Sequence, residues 1–338
     1  MSAAVPFQRS QNIDPAQLHR DAVVIDGLIV ANFSRAVFED MQRGGITAAN
    51  CTCCVWEDFR NTMANVARWK TWFADNADLI TQVYTSADIA RAKREGRVGI
   101  ILGWQNLSGI DDQLAYLQIF RELGVRIMQI TYNTQNLAGC GCYEKHDGGL
   151  SDFGREAVAE MNRLGILCDL SHVGPRTSED VIRASHKPVA YTHCLPMGLK
   201  QHARNKTDEQ LKFIAERGGF IGVTMFPPFL KRGKDATVDD YIEAIEYCIN
   251  LAGEDCIGIG TDFTQDYGAP FFEWITRDKG YARKLTEFGD VINPLGIRTI
   301  GEFPNLTAAM AKRGWSERRI RKVIGENWVR LLGEVWDA

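Results

Sequence analysis

The sequence predicts an α/β protein folded as a single (β/α)₈ barrel. Eight short apolar runs alternate with amphipathic helical segments, and 338 residues are enough for one large barrel. Each run is rich in Val, Ile and Gly and almost continuously hydrophobic, as expected of parallel strands buried on both faces. The runs are Val23–Val30, Thr47–Val55, Val98–Trp104, Val125–Thr131, Ile166–Ser171, Pro188–Thr192, Gly219–Met225 and Cys256–Thr261.

Helical segments lie between these runs. Segment Asp111–Leu123 places Leu114, Leu117, Phe120 and Leu123 on one stripe, which is the spacing of an amphipathic helix. Thr207 and Gln210 form a capping-box pattern, which predicts a helix start there. The other predicted helices are Thr62–Leu79, Ser151–Leu164, Thr237–Leu251 and Ser316–Val335.

The runner-up fold is a two-domain, doubly wound sheet. That fold needs a glycine-rich phosphate loop after the first strand, and Asp26-Gly27-Leu28 does not supply one. We therefore expect one barrel domain over residues 1–338, with a short N-terminal extension over about 1–20 and a C-terminal helical segment over about 299–336.

Composition excludes several classes of partner. The formal charge is −4, whereas a nucleic-acid-binding surface needs a cationic field. No apolar run is long enough to cross a bilayer, and the polar N-terminus lacks the core of a secretion signal. The nine cysteines are an odd number in a chain too large to need disulfides, which indicates reduced thiols. We expect a cytoplasmic protein that binds neither nucleic acid nor membrane.

Polar side chains follow three of the predicted strands. His172, His193 and Asp262 come at the ends of the fifth, sixth and eighth runs, and in a barrel these ends share one mouth. Imidazole nitrogen and carboxylate oxygen are ligands for zinc and related metals. Any one of the three could be an ordinary hydrogen-bonded residue, but three in register favour a metal site. The other histidines, 19, 146, 186 and 202, look solvated, although His146 or His202 could line the mouth.

Several motifs resemble the renal, or membrane, dipeptidase family of metallopeptidases. They are Ser171-His172-Val173, Thr192-His193, Arg204-Asn205 and Gly260-Thr261-Asp262-Phe263, supported by stretches at 149–155, 160–165 and 217–223. The resemblance runs from about Val23 to the C-terminus. It implies a TIM-like barrel of the amidohydrolase type and hydrolysis of dipeptides at a two-zinc centre.

The site departs from the family's pattern. The first strand of the family ends Asp-Gly-His-x-Asp, and here Leu28 and Val30 replace both ligands. Gln105 stands where the family has a bridging Glu. Tyr132 stands where it has a His that polarises the substrate carbonyl, so we assign Tyr132 to substrate binding and catalysis.

The retained residues predict one tightly held zinc ion. By resemblance, His172 and His193 are its ligands, Asp262 or Gln105 completes the shell, and Arg204 with Asn205 binds the substrate's carboxylate. Two zinc ions would bring four positive charges against one certain anion, Asp262. One ion suffices to activate water, and Asp262 is the natural base.

Two further segments bear on the site. Loop 139–147 offers Cys, Glu, His and Asp side chains that could replace lost ligands, although a capping loop with ordinary thiols is the favoured interpretation. Segment Pro270–Leu295 is unusually aromatic and follows the last strand. We expect it to form either a lid over the mouth or a homodimer contact.

Three functions are compatible with these observations. The first is a metal-dependent hydrolase that cleaves a dipeptide or a similarly small, carboxylate-bearing amide with metal-activated water. The second keeps the pocket but processes a small amino-acid derivative in catabolism. The third is a non-catalytic binding barrel. The loss of the first-strand ligands favours it, and the retention of His172, His193, Arg204 and Asp262 in one mouth opposes it.

Overall fold

The computed structural model describes residues 13–337 and contains a barrel of parallel strands. The strands are β1 (Ile25–Ala31), β2 (Ala48–Cys54), β3 (Ile80–Gln82), β4 (Val98–Trp104), β5 (Val125–Gln129), β6 (Leu167–Asp169), β7 (Ala190–Cys194), β8 (Phe220–Val223), β9 (Ile257–Ile259) and β10 (Phe263–Gln265). They pair in the order β10-β1-β2-β4-β5-β6-β7-β8-β9, and β3 pairs with β4 off this path. The predicted (β/α)₈ barrel is confirmed.

The barrel closes through one interrupted strand. β9 pairs with β8, β10 pairs with β1, and the chain between them passes through Asp262 at a φ of 56°. This left-handed conformation is uncommon for a residue with a side chain. The amide of Asp262 donates to the carbonyl of Leu28, so the interruption is itself bonded to β1.

Thirteen α-helices are present in the described residues. They are α1 (Pro15–Asp21), α2 (Arg35–Arg43), α3 (Phe59–Asp75), α4 (Ser86–Glu95), α5 (Tyr116–Leu123), α6 (Asp152–Leu164), α7 (Pro175–Ala184), α8 (Asp208–Glu216), α9 (Val238–Ala252), α10 (Ala269–Ile275), α11 (Pro304–Lys312), α12 (Glu317–Arg321) and α13 (Asn327–Trp336). A π-helical turn, Lys322–Glu326, joins α12 to α13. The capping box of Thr207 and Gln210 opens α8 as predicted.

The interior of the barrel forms a core separate from the layer between strands and helices. Residues such as Ile25, Ile101 and Leu167 pack inside together with Trp328 of α13. The Trp328 indole donates to the carbonyl of Ile259 at 2.8 Å. It fills the space that glycines leave on three strands, since a Cβ at Gly27, Gly222 or Gly258 would lie within 2.5 to 3.2 Å of it. The last helix therefore completes the barrel's interior.

The N-terminal part differs from the prediction. Residues 1–12 of the proposed extension lie outside the described residues, but α1 packs on α11. His19 is buried there, and its ring nitrogens contact Thr307 Oγ1 at 2.7 Å and the carbonyl of Gly44 at 2.9 Å. The expectation of a solvated His19 was wrong, because α1 turns this face towards the protein.

Candidate active site

The structure brings His172 and His193 together at the mouth of the barrel. His172 follows β6, His193 lies in β7, and their Nε2 atoms are 3.1 Å apart. Both side chains are buried. The amide of His172 donates to Gln129 Oε1, and the amide of His193 donates to Ser171 Oγ, so the backbone of each is fixed by a neighbouring strand or loop.

The outer nitrogens of both rings are committed to hydrogen bonds. His172 Nδ1 lies 2.7 Å from Asn133 Oδ1, an atom that can only accept. His193 Nδ1 lies 2.8 Å from Thr192 Oγ1, whose own proton goes to Asp169 Oδ2 at 2.8 Å. Both Nδ1 atoms therefore carry the ring proton, and both Nε2 atoms present lone pairs.

Two facing lone pairs fit a shared cation. Two nitrogens bound to zinc at about 2.0–2.1 Å in tetrahedral geometry lie roughly 3.3 Å apart, close to the observed Nε2 separation. Histidines that bind a metal usually donate a hydrogen bond from their second ring N–H to a partner, as both rings do here. Burial, followed by the nearby Arg204 charge, holds the pKa of both histidines well below the usual value, so both rings are neutral.

Asp262 lies at the same mouth but does not form a three-residue metal-binding cluster with the two histidines. It borders the cavity that His172 also borders, yet no set of three His, Cys, Asp or Glu side chains in residues 13–337 has metal-holding geometry. Burial raises the pKa of Asp262 to about 6, and Arg204 opposes this shift. The carboxyl can therefore exchange a proton near neutral pH.

Arg204 is fully buried and only partly hydrogen-bonded. Its Nη2 donates to the carbonyl of His193 at 2.7 Å, while Nε and Nη1 have no partner among the described residues. An unpaired buried guanidinium is costly, so this arrangement favours an anionic ligand. Asn205 uses its amide nitrogen on the carbonyls of Lys200 and Phe229, which fixes the loop, and its Oδ1 has no protein partner in this part of the chain.

The remaining predicted residues line the mouth. Tyr132 stacks against His172 with ring centroids 4.2 Å apart, and Gln105 borders the same cavity. Val30 borders it too, while Leu28 is fully buried. The cavity measures about 20 Å³, which is room for about one water-sized group.

Loop 139–147 uses its polar groups to hold itself together. Asp147 accepts from the amides of Arg176 and Thr177 at the start of α7, and Glu144 accepts from the amide of Gln135. Cys140 accepts from the amide of Gly148. His146 is exposed. The loop thus brings no third ligand to the two histidines in the described structure.

The aromatic segment after β10 covers the mouth. Phe271, Ile275 and Phe288 border the 20 Å³ cavity. Asp278 accepts a hydrogen bond from Thr134 Oγ1 at 2.9 Å, which ties the segment to the loop after β5. A larger cavity, about 720 Å³, lies on the other side of Tyr132.

Sequence reasoning missed the residues that orient the histidines. Asp169 is buried and accepts four hydrogen bonds from Ser171 and Thr192, and Asn133, at a φ of 61°, holds His172. Asp26 plays the matching part on β1, where it accepts from the amide and hydroxyl of Thr261. For Asp169 a signal was present, since it is the last residue of β6, whereas Asp26 is the second residue of β1.

No helix among the described residues is long and apolar enough to span a membrane.

Known proteins share this fold and, in one case, much of the sequence. An amidohydrolase from Pseudomonas aeruginosa is 62% identical, with 96% of this chain and 100% of that chain covered and a TM-score of 0.95. A probable dipeptidase from the same organism is 20% identical, covering 96% and 98% of the two chains with a TM-score of 0.82. A metallopeptidase from Rhodobacter sphaeroides, liganded with a phosphinate mimic of the dipeptide L-Ala-D-Ala, is 22% identical, covering 93% and 99% with a TM-score of 0.77.

The family model described as membrane dipeptidase (peptidase family M19) matches residues 10–277 and 286–338. That match covers nearly all of the barrel and both histidines of the mouth. The chain therefore belongs to the membrane dipeptidase family.

Proposed function

We propose that this protein is a metal-dependent hydrolase that cleaves the amide bond of a dipeptide or a similarly small, carboxylate-bearing amide. The observation that carries the proposal is the pair of Nε2 lone pairs, 3.1 Å apart, beside a buried guanidinium with two free donors. Family membership supports a metal, and the donor set favours zinc. Two metal-facing nitrogens support one ion rather than two.

The chain's own groups divide the work. Arg204 offers to the substrate's carboxylate the donors on Nε and Nη1 that have no protein partner. His172 and His193 would hold the ion, which would supply a Lewis acid and lower the pKa of water there. The Asp262 carboxylate would accept a proton from the attacking water and give it to the leaving amine. Tyr132, packed on His172 and bordering the 20 Å³ cavity, would contact the substrate and polarise its carbonyl.

A second candidate keeps the pocket and changes the substrate. The mouth cavity is small, and Val30 lines it at the position where the family has a ligand for a first metal. That side of the cavity is therefore apolar. This favours processing of a small amino-acid derivative rather than a general dipeptide. A non-catalytic barrel is the third candidate. The unpartnered Nε and Nη1 atoms of Arg204 favour a bound anionic ligand in that case as well.

Metal analysis and a substrate panel separate the three functions. Protein purified without chelator is assayed for bound zinc and for release of amino acids from dipeptides of varied side chains. About one zinc per chain with turnover supports the proposal. Bound zinc without dipeptide turnover supports the altered substrate, and failure to bind zinc even on reconstitution contradicts both enzyme functions.

A further inference from the structure

A second chamber adjoins the mouth on its β1 side. It measures about 180 Å³ and shares Val30, Val55 and Phe271 with the 20 Å³ cavity. The proposed chemistry does not use it. Its position behind Val30 places any group bound there next to the site of the reaction.

Aromatic rings from three segments line this chamber. Phe33 follows β1 and Trp69 and Trp72 lie on α3, and the Trp69 ring is 4.7 Å from Phe33 and 4.8 Å from Trp72. Tyr267 and Phe271, stacked at 3.6 Å, line the lid side together with Trp274. Aromatic faces carry negative quadrupole charge and attract cations, trimethylated ammonium groups above all.

One carboxylate lines the same space. Glu57 accepts from the amides of Val55 at 2.7 Å and Trp56 at 3.0 Å, and from Asn65 Nδ2 at 3.1 Å. All three donors are neutral, and Glu57 forms no ion pair with the residues described. Its charge acts on the chamber, since after burial it is the main cause that raises the pKa of Tyr267 to about 12.

Arg68 is the one cationic side chain among the residues that line the chamber, and it is exposed to solvent. Water screens an exposed charge far more than a partly buried one. Arg68 opposes Glu57 in its effect on the pKa of Tyr267, but the effect of Glu57 is the larger of the two, so the aromatic rings and Glu57 together favour a positive group.

We propose that this chamber binds an organic cation, an alkylated ammonium group, among these aromatic rings and against Glu57. The size agrees, since an engineered apolar cavity of about 150 Å³ accommodates benzene. If the chamber takes part in substrate recognition, the inference rests on the proposed function. The substrate is then an amide that carries a carboxylate, which Arg204 binds, and an alkylammonium group, which the chamber binds.

Binding can be measured without any assay of turnover. Tetramethylammonium chloride is titrated into the full chain while tryptophan fluorescence is followed, because Trp69, Trp72 and Trp274 line the chamber. A saturable change is expected, and tert-butanol, a neutral probe of similar shape, gives none at the same concentrations. Sodium chloride at equal ionic strength controls for salt.

Glu57→Gln keeps the size of the side chain and one acceptor oxygen for the amides of Val55 and Trp56, loses the acceptor for Asn65 Nδ2 and removes the charge, so it is expected to weaken tetramethylammonium binding about tenfold. Asp75→Asn, an exposed change of equal charge at the end of α3, leaves binding unchanged. Equal binding of both probes, or unaltered binding by Glu57→Gln, overturns the inference. Cation binding without amide turnover supports the inference about the chamber and contradicts only the proposed hydrolase function.

Discussion

At the scale of single residues, the mouth of the barrel holds two nitrogen lone pairs that repel each other unless a positive charge lies between them. His172→Ala removes one of them, and we expect the variant to lose its metal while keeping its fold. Zinc content by elemental analysis and circular dichroism test this. His146→Ala, an exposed histidine in loop 139–147, is the matched control and should keep its zinc.

The acid at position 262 gives the activity a pH dependence. Its pKa, raised to about 6 by burial, means that it is protonated below that pH and cannot accept a proton there. Turnover should therefore rise as pH increases through about 6, and Asp262→Asn should lower kcat by about 10²–10⁴-fold. A pH–rate profile of both proteins tests this, and a wild-type profile flat from pH 5 to 7 would contradict it.

Arg204 offers a further test of the substrate's charge. Arg204→Lys keeps the positive charge but loses the planar fork, so KM for a carboxylate-bearing substrate should rise about tenfold or more. The comparison substrate is the same amide with its carboxylate amidated. If the variant raised KM equally for both substrates, Arg204 would not bind the carboxylate.

The placement of some residues at the mouth could be predicted from the sequence, and that of others could not. His172, His193 and Asp262 stand at strand ends, and the strand order of a barrel brings such ends to one mouth. Asn133 and Glu57 lie in loops whose paths depend on tertiary packing, so no spacing in the sequence places them. Asp262 also lies between β9 and β10 in a left-handed conformation, which the predicted run Cys256–Thr261 did not reach.

At the scale of elements, the sequence predicts the long buried strands well and the short elements poorly. β4 matches its predicted bounds, whereas β3 and β10 have three residues each and too little pattern to be recognised. Helix α4 was missed because its sequence is polar and buries only one side, through Ile89 and Ala92. Segment 111–123 contains a helix only from Tyr116, because the chain before it forms turns.

The packing of α13 into the barrel predicts a large effect of one truncation. Trp328→Ala removes an indole that is 1% exposed and hydrogen-bonded to Ile259, so the free energy of unfolding should fall by about 3–5 kcal/mol. Urea denaturation measures this change. Arg330→Ala, exposed on the same helix, should change it by less than about 0.5 kcal/mol.

At the scale of the whole molecule, metal binding and stability are coupled. An ion that binds only the folded chain stabilises it by about 2.7 kcal/mol when present at 100 times its Kd. Zinc should therefore raise Tm by several degrees over chelator-treated protein, as measured by calorimetry. His172→Ala should show no such rise, and an equal rise in that variant would locate the ion elsewhere.

The Trp328 indole that fills the barrel interior also determines when the barrel can be completed during synthesis of the chain. β1 is synthesised some three hundred residues before the side chain that packs against its Gly27. While a ribosome is still translating, the early strands can pair, but their shared interior lacks its final side chain. The barrel is thus completed only after residue 328 has left the exit tunnel, and nascent chains halted before that point should remain sensitive to protease.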